Sequence, residues 1–233
     1  MVSNMKSVFI VFYAILLASS IHLTNGSYEY FRLVLVWPTT FTTHVHPNYG
    51  MTIVNPPNYF TIHGLWPTNF SYPWPQYCSK KRKDRFDASL LTQALEVSLN
   101  YYWPSLKPAK KNMQFWIDEW EKHGTCSLQR FNQFEYFRNA IYITYNLNIQ
   151  SVFKNVGIIP SGTKTYSYIN IVDAIKTKTY QEPELMCFKD QNHVLLWEIH
   201  VCLNASLTGY ISCPINNFNN IILCKKIFIK IPV

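Results

Sequence analysis

The N-terminal part of the chain shows a clear alternation of apolar and other side chains over residues 28–37. One face of this segment carries Phe31, Leu33, Leu35 and Trp37, and the other carries Arg32, Val34 and Val36. A period of two residues is typical of a strand, and the mixed second face predicts burial on one side only. A second strand is predicted for residues 59–63, so that His63 lies at a strand end before the break at Gly64 and Pro67.

Helical periodicity follows in the middle of the chain. Apolar residues three and four apart predict helices over residues 87–101, 112–123 and 132–145, with a short fourth helix beginning near Asn170. Asp87 is a candidate N-cap for the first helix. The pattern then changes to strands at residues 184–189 and 194–203, joined by a polar turn. These elements predict a single α+β domain with a largely antiparallel sheet packed against several helices.

The first residues have the pattern of an export signal. Lys6 supplies a positive charge, residues 8–18 are an apolar run, and small residues follow up to Gly26. We therefore expect residues 1–26 to be a signal peptide that is removed, and residues 27–233 to form one secreted, extracellular domain. The apolar run is shorter than the roughly 18 residues needed to span a bilayer, which favours removal over a retained membrane anchor.

Cysteines and sequons fit an extracellular chain. In an oxidising compartment an even number of cysteines predicts disulfides, although the sequence alone does not choose among the pairings. The six cysteines are Cys78, Cys126, Cys187, Cys202, Cys213 and Cys224. A zinc site is the rival interpretation, but no pair has the two-residue spacing of a zinc knuckle, so no metal is predicted. Sequons at Asn69 and Asn204 could accept N-glycans, and a third at Asn25 would leave with the signal peptide.

The formal charge is +8, and it falls to +7 when the predicted signal peptide removes Lys6. A basic surface attracts polyanions such as RNA, DNA, acidic glycans or anionic membranes, and a basic secreted protein without such a ligand is the alternative. Part of the charge is concentrated in one segment, which we expect to be exposed. Its cationic residues are Lys80, Lys81, Arg82, Lys83 and Arg85.

Two histidines, a carboxylate and a lysine are the candidate chemistry. Within the predicted helix, Glu119, Lys122 and His123 project from neighbouring parts of one face, and His63 lies on a strand. Imidazoles can remove the proton of a ribose 2'-OH and protonate the leaving 5'-oxygen, while a lysine faces the charged phosphorane between them. This chemistry needs no cofactor. Spacing alone leaves open that both histidines are structural, or that the chain is a metal-dependent hydrolase.

Two long segments carry a family resemblance. Residues 60–67 read FTIHGLWP, and residues 115–126 read FWIDEWEKHGTC. In this order they resemble the two active-site segments of the Rh/T2 ribonuclease family, and the likeness extends from residues 28–38 to residues 185–214. The resemblance implies a monomeric, metal-independent endoribonuclease that cleaves RNA through a 2',3'-cyclic phosphate.

The resemblance also implies roles for single residues. His63 and His123 become the acid-base pair, with His123 assigned as the base and His63 as the acid. Glu119 and Lys122 polarise the phosphate and stabilise the pentacoordinate state. The implied disulfides are Cys78 with Cys126, Cys187 with Cys224, and Cys202 with Cys213.

Substrate binding and several departures from the family pattern concern other positions. Trp66 and Phe115 are the substrate-binding candidates, with core packing as the alternative for each. Many relatives have a further bridge near Thr42, where this chain offers no cysteine. Asp118 stands where some relatives have a third histidine, and Thr68 stands where many have an acidic residue, which leaves phosphate binding and base preference open.

The basic charge favours the S-RNase branch of this family. S-RNases tend to be basic, whereas members that serve nutrition or defence tend to be acidic. Residues 69–85 follow the first active-site segment, in a region that is hypervariable in S-RNases and marks allelic identity. A basic rim that attracts RNA phosphates is the alternative interpretation of this segment, and the two are compatible. The resemblance thus implies a style protein of self-incompatibility, with pollen F-box proteins as partners. The alternatives are a defence or phosphate-scavenging S-like ribonuclease, and an inactive storage or recognition glycoprotein.

Overall fold

One seven-stranded sheet forms the centre of the structure. The computed structural model describes residues 27–45, 55–71, 74–190, 192–214, 224 and 228–233. The strands are β1 (Tyr30–Val36), β2 (Thr61–Thr68), β3 (Thr165–Ser167), β4 (Glu184–Lys189), β5 (Val194–Asn204), β6 (Tyr210–Ile211) and β7 (Phe228–Lys230). Their order is β2-β1-β5-β7-β3, and β4 and β6 also pair with β5. Every pairing is antiparallel except that of β5 with β7, which confirms the predicted sheet.

Six helices accompany the sheet within the described ranges. They are α1 (Pro38–Thr40), α2 (Gln93–Tyr102), α3 (Asn112–Lys122), α4 (Gln133–Leu147), α5 (Ile149–Asn155) and α6 (Tyr168–Thr179). The apolar residues of α2 to α6 form one continuous core with those of the four longest strands. The predicted α+β class is therefore confirmed. No helix in the described part of the chain is long and apolar enough to cross a membrane.

Strand β1 is buried on both faces, so the prediction of a half-exposed strand is wrong. The face that includes Leu33 and Leu35 packs into the main core, as predicted. The opposite face is covered as well, because Tyr30 packs on the Cys202–Cys213 region and Val36 packs on Phe41. The alternation reflected the chemistry of the two faces and not their exposure.

The predicted helix over residues 87–101 is divided in two. A single turn of 3-10 helix occupies Ala88–Leu90, and α2 begins only at residue 93. The Asp87 side chain accepts a hydrogen bond from the Ser89 N–H, so it caps the short turn and not the long helix. The hydroxyl of Thr92 caps α2 instead.

The remaining long elements agree with the predicted ones. The helices α3 and α4 and the strands β4 and β5 lie within one or two residues of the expected bounds. The fourth helix, α6, is longer than expected. The helix α5 and the strands β3, β6 and β7 were not predicted, because segments this short carry little periodicity. The predicted signal peptide and Asn25 lie outside the described residues.

Three disulfides connect the elements. The pairs are Cys78–Cys126, Cys187–Cys224 and Cys202–Cys213, which are those that the family resemblance implies. The first pair joins the segment after β2 to the turn after α3. In the same region the Tyr77 N–H donates to the Lys122 carbonyl over 2.8 Å, so covalent and hydrogen-bonded links coincide.

Removing the first disulfide should lower the stability of the whole domain. We expect the Cys78→Ser/Cys126→Ser variant to lose about 2–5 kcal/mol of unfolding free energy, because the unfolded chain regains the freedom of a 48-residue separation. Denaturant titration followed by tryptophan fluorescence measures this. A midpoint equal to that of the wild-type protein under oxidising conditions would contradict it.

Candidate active site

His63 occupies an irregular position within β2. Val34 pairs with Gly64 and Leu35 pairs with Ile62, so His63 is an extra residue between two ladder pairs. Such a bulge bends a strand and redirects a side chain. The prediction that the strand ends at His63 is therefore wrong. The strand continues through Pro67, which an edge strand tolerates because one side of its backbone needs no sheet hydrogen bonds.

The helix α3 holds the second part of the site. Its buried indoles are fixed by hydrogen bonds, since Trp116 donates to the Trp103 carbonyl and Trp120 donates to the Asp84 carbonyl, each over 2.8 Å. The helix ends at Lys122, and His123 is its C-cap, with its N–H bonded to the Glu119 carbonyl at 2.9 Å. The chain then turns tightly at residues 124–127, where Cys126 is tied to Cys78.

Trp66 links the two histidines. Its indole lies edge-on to the His63 ring, with centroids 5.2 Å apart, and stacks on the His123 ring at 5.1 Å. These two distances place the imidazoles within roughly 10 Å of each other. The Trp66 Nε1–H also donates to Glu119 Oε2 over 3.1 Å. The Trp66 side chain thus contacts three of the four residues that the sequence assigned to catalysis.

Gly64 makes this arrangement possible. A Cβ atom at position 64 would lie 2.0 Å from Trp66 Nε1 and 2.4 Å from Glu119 Oε2, which no real contact allows. Any other residue would push the indole and the carboxylate apart. The glycine in the FTIHGLWP segment is therefore required for a close approach and not for a turn.

The two imidazoles have opposite charge preferences. Burial lowers the pKa of His123 to about 3, with the positive charges of Lys122 and His63 acting in the same direction. Burial also lowers the pKa of His63, but the carboxylates of Glu198 and Glu119 outweigh it, so the pKa is raised overall. His123 therefore favours the neutral form and His63 the charged form.

Glu119 is nearly inaccessible to solvent. Burial raises the pKa of its carboxyl group, although His63, the Trp66 N–H and Lys122 each oppose the shift. The same three groups satisfy the carboxylate electrostatically and hold it beside His63. A group placed in this way can accept hydrogen bonds from a substrate or exchange a proton with it.

A cleft of about 470 Å³ opens at the site. His63, Phe115, Glu119 and Lys122 lie on its wall, together with Lys107 and Lys110 and an apolar end. Its other lining residues are Val36, Phe41, Ile62, Tyr77, Pro104, Ser105, Leu106, Asp118, Glu121 and Trp197. Of the predicted site residues, Trp66 and His123 are not among those that line this cleft. Their rings stack on one another, and the Trp66 indole donates to Glu119 in the wall of the cleft.

A carboxylate that the sequence analysis missed also contacts His63. Glu198 Oε1 lies 2.6 Å from His63 Nδ1, and Glu198 is buried. A charged residue in the middle of the apolar β5 sequence was the signal that could have identified it. Within the described ranges no group of three or more His, Cys, Asp and Glu side chains is arranged to hold a metal ion.

The cationic segment is exposed, as predicted. Its exposed members are Lys80, Lys81, Arg82, Lys83 and Arg85. The bond from Trp120 to the Asp84 carbonyl attaches this segment to the helix that carries Glu119 and Lys122. Positive charge is therefore present both within the cleft and on the surface beside it.

Comparison with known proteins gives consistent results. The model of the Ribonuclease T2 family matches residues 28–213. Ribonuclease S-6 of Nicotiana alata is 36% identical over 90% of this chain and 90% of its own length, and Ribonuclease 3 of Arabidopsis thaliana is 34% identical over 81% and 84%. The crystal structure of RNase NT in complex with 5'-AMP superimposes with a TM-score of 0.76 at 29% identity, covering 88% of this chain and 98% of that one.

The opposite pKa shifts of His63 and His123 can be measured directly. In an NMR titration of the ring protons we expect His63 to titrate above the ordinary histidine pKa of 6.5 and His123 far below it. Between the two values, His63 carries a proton and His123 does not. Both rings titrating together near 6.5 would contradict this assignment.

Proposed function

Because the chain belongs to the ribonuclease T2 family and is an endoribonuclease, we propose that it cleaves RNA with His123 as the base and His63 as the acid. The observation that carries this assignment is the placement of the two imidazoles about Trp66 with opposite pKa shifts. A base must begin neutral and an acid must begin protonated, which are the forms that the two environments favour.

In the first step neutral His123 takes the proton of the ribose 2'-OH. The 2'-oxygen attacks phosphorus, the bond from phosphorus to the 5'-oxygen breaks, and protonated His63 donates its proton to that leaving oxygen. The products are a 2',3'-cyclic phosphate and a free 5'-hydroxyl. The nucleophile belongs to the substrate, so DNA, which lacks the 2'-OH, is not cleaved. Hydrolysis of the cyclic phosphate repeats the steps in reverse with water, and the two histidines exchange roles.

Two neighbouring groups stabilise the phosphorane. Lys122 lines the cleft and supplies positive charge to the equatorial oxygens. Glu119 stands beside His63 and Trp66 and accepts a hydrogen bond from the Trp66 indole. Burial raises the pKa of its carboxyl group, and in the protonated form this group donates a hydrogen bond to a phosphate oxygen. Phe115 lies 6.4 Å from the His63 ring on the same wall and offers an aromatic face to a base. Trp66 contacts His63, His123 and Glu119, and we assign it to holding the nucleotide site in shape.

RNA cleavage should persist with EDTA present and should depend on both histidines. We expect purified protein to degrade RNA and leave DNA intact, and His63→Asn or His123→Asn to lower the rate by about 10²–10⁴-fold each, because each removes one proton transfer. His193→Asn, at an exposed histidine away from the cleft, is the matched control and should keep full activity. Metal-dependent cleavage, or near-wild-type rates in either site variant, would refute the assignment.

For the biological role, we assign the protein to the S-RNase branch, as a secreted style determinant of self-incompatibility. The basic charge and the exposed cationic segment support this, as does the likeness to Ribonuclease S-6 of Nicotiana alata. A role in defence or phosphate scavenging is the second candidate, because Ribonuclease 3 of Arabidopsis thaliana, whose name carries no S designation, is similar to this chain at 34% identity. The inactive-glycoprotein alternative conflicts with the assembled set of His63, Glu119, Lys122 and His123.

Secretion implies further properties that belong to this proposal. The signal peptide at residues 1–26 would be removed, and Asn69 and Asn204 would be candidates for N-glycans. Both asparagines are half-buried at the ends of strands β2 and β5. The mature chain would act as a monomer, and in the S-RNase role its partners would be pollen F-box proteins, with the cationic segment as the surface they contact.

Expression distinguishes the two roles. If the protein is a style determinant, its transcript should be confined to styles, and the locus should be inherited together with rejection of matching pollen. Transcript measurements across tissues and segregation in crosses provide the test. Abundant transcript in roots or leaves without linkage to pollen rejection would instead indicate defence or phosphate scavenging.

A further inference from the structure

A row of ionisable side chains extends from His63 into the sheet. Glu198 Oε1 contacts His63 Nδ1 at 2.6 Å, and Glu198 Oε2 contacts His200 Nε2 at 3.0 Å. His200 Nδ1 lies 3.4 Å from Glu184 Oε2, and Glu184 forms an ion pair with Arg32. We call these five residues the buried charge row. Its members alternate between cationic or basic groups and carboxylates.

The strand register explains why these residues meet. Glu198 and His200 are two apart on β5 and therefore share one face of the sheet. His200 is directly opposite Glu184 on β4 and opposite Val34 on β1, whose face also carries Arg32. Residues paired across antiparallel strands point to the same side. The sheet thus gathers residues from three strands behind the bulge at His63.

The interior of the row is withdrawn from water. The side chains of Arg32, Glu198 and His200 are 3%, 5% and 7% exposed, and Glu184 is 12% exposed. His63, at 31%, is the member that reaches the cleft. Buried ion pairs contribute little net stability compared with apolar side chains of similar size, so the fold alone does not require this row. Of its five members, His63 is the one that lines the cleft.

We propose that Glu198 is a positioning residue for catalysis, which orients His63 through Nδ1 and stabilises its protonated form, and that His200, Glu184 and Arg32 hold Glu198 in place. This inference rests on the proposed role of His63 as the acid. With Nδ1 bound to Glu198, the proton on Nε2 is the one available to the leaving 5'-oxygen. A carboxylate behind an imidazole has the same two effects in hydrolases that use a histidine, where it fixes the tautomer and stabilises the imidazolium.

The charges around His63 come from several elements. Burial lowers its pKa, while Glu198 on β5 and Glu119 on α3 raise it and Lys107, in the loop before α3, lowers it. His123, after α3, also carries positive charge when protonated. Among the groups that raise the pKa of His63, Glu198 has the largest effect. It is also hydrogen-bonded to the His63 ring at Nδ1.

Glu198 itself stays charged throughout the working range. Burial raises its pKa, but His63 and His200 outweigh this effect and lower the pKa to about 2. The pKa of His200 is raised, because Glu184 and Glu198 together overcome burial and the repulsion from Arg32. Loss of the His63 proton is therefore the titration that should limit activity on the alkaline side of the pH profile.

The test is the pH dependence of kcat/KM for Glu198→Gln on a dinucleotide substrate. Glutamine keeps an oxygen that can accept the Nδ1 hydrogen bond but removes the charge. We expect the alkaline limb to move to lower pH by about one unit, since an adjacent opposite charge shifts a pKa by about 1–3 units. On that limb kcat/KM falls about tenfold. KM should change little, because Glu198 does not line the cleft.

Two variants complete the test. Glu198→Asp keeps the charge and should return the alkaline limb most of the way to its wild-type position. Glu96→Gln makes the same chemical change at an exposed residue of α2 and should leave the profile unchanged. An unshifted alkaline limb in Glu198→Gln, or the same shift in Glu198→Asp, would overturn the inference.

A measurement on the wild-type protein does not depend on the folding of any variant. Long-range ¹H–¹⁵N NMR identifies the tautomer of His63 at a pH above its pKa. The inference requires the remaining proton on Nδ1, where it is shared with Glu198. A neutral ring with its proton on Nε2 would overturn it.

Failure of this inference can be separated from failure of the proposed function. Activity in His63→Asn would refute the proposed site itself. An inactive His63→Asn together with an unshifted Glu198→Gln would refute only the role of Glu198. If the proposed site and the role of Glu198 are both correct, adding Glu198→Gln to His63→Asn should lower kcat/KM little further, because the two residues act as one unit.

Discussion

The burial of β1 on both faces is the constraint on which the rest of the structure depends. One face supplies apolar side chains to the helical layer, and the other carries Arg32 beneath a second cover. A charged residue in such a place must be neutralised. The neighbouring strands supply carboxylates and an imidazole on the same face of the sheet. One side of the sheet is therefore apolar, and the other side carries a row of paired charges. The cleft opens at His63 on the edge strand β2, where this row of charges ends.

The edge strand and α3 approach each other through unusually close contacts. Gly64 lets the indole of Trp66 and the carboxylate of Glu119 come together, and Gly124 likewise leaves room for Trp120, which would lie 2.2 Å from a Cβ there. Interiors are densely packed, so contacts of this kind leave the side chains little room to move. The two glycines lie one residue after His63 and one after His123. Gly64 thus permits the helix to approach the strand beside His63, and Gly124 lets the chain turn closely over Trp120 directly after His123.

Much of this arrangement could be predicted from the sequence, and the reasons for the failures are physical. Periodicity identified β4, β5, α3 and α4 because these elements are long and amphipathic. It could not identify the bulge, since Gly64 and Pro67 indicate a break, whereas an edge strand accepts both. Periodicity also could not show that β1 is buried on both faces, because the burial of Arg32 depends on partners 152 and 168 residues away along the chain.

In the site, too, local sequence predicted some features and long-range pairing determined the others. His63, Glu119, Lys122 and His123 were identified from two motifs. The structure brings His63, Glu119 and His123 together around Trp66, and Lys122 lines the cleft. Glu198 escaped notice because it belongs to no motif and acquires its role only when β5 pairs with β1. Local sequence predicted which groups could carry protons. The long-range register determined which carboxylate stands behind which ring.

The attachment of the cationic segment has a consequence for sequence change. Its backbone is anchored by Cys78 at one end, by the Asp84 carbonyl on Trp120 in the middle and by Asp87 on the Gln133 amide at the other end, while its charged side chains extend into water. Substitutions at these exposed positions leave all three anchors intact and are expected to be nearly neutral for stability. The surface can therefore diversify between lineages while the geometry of the helix beside it stays constant.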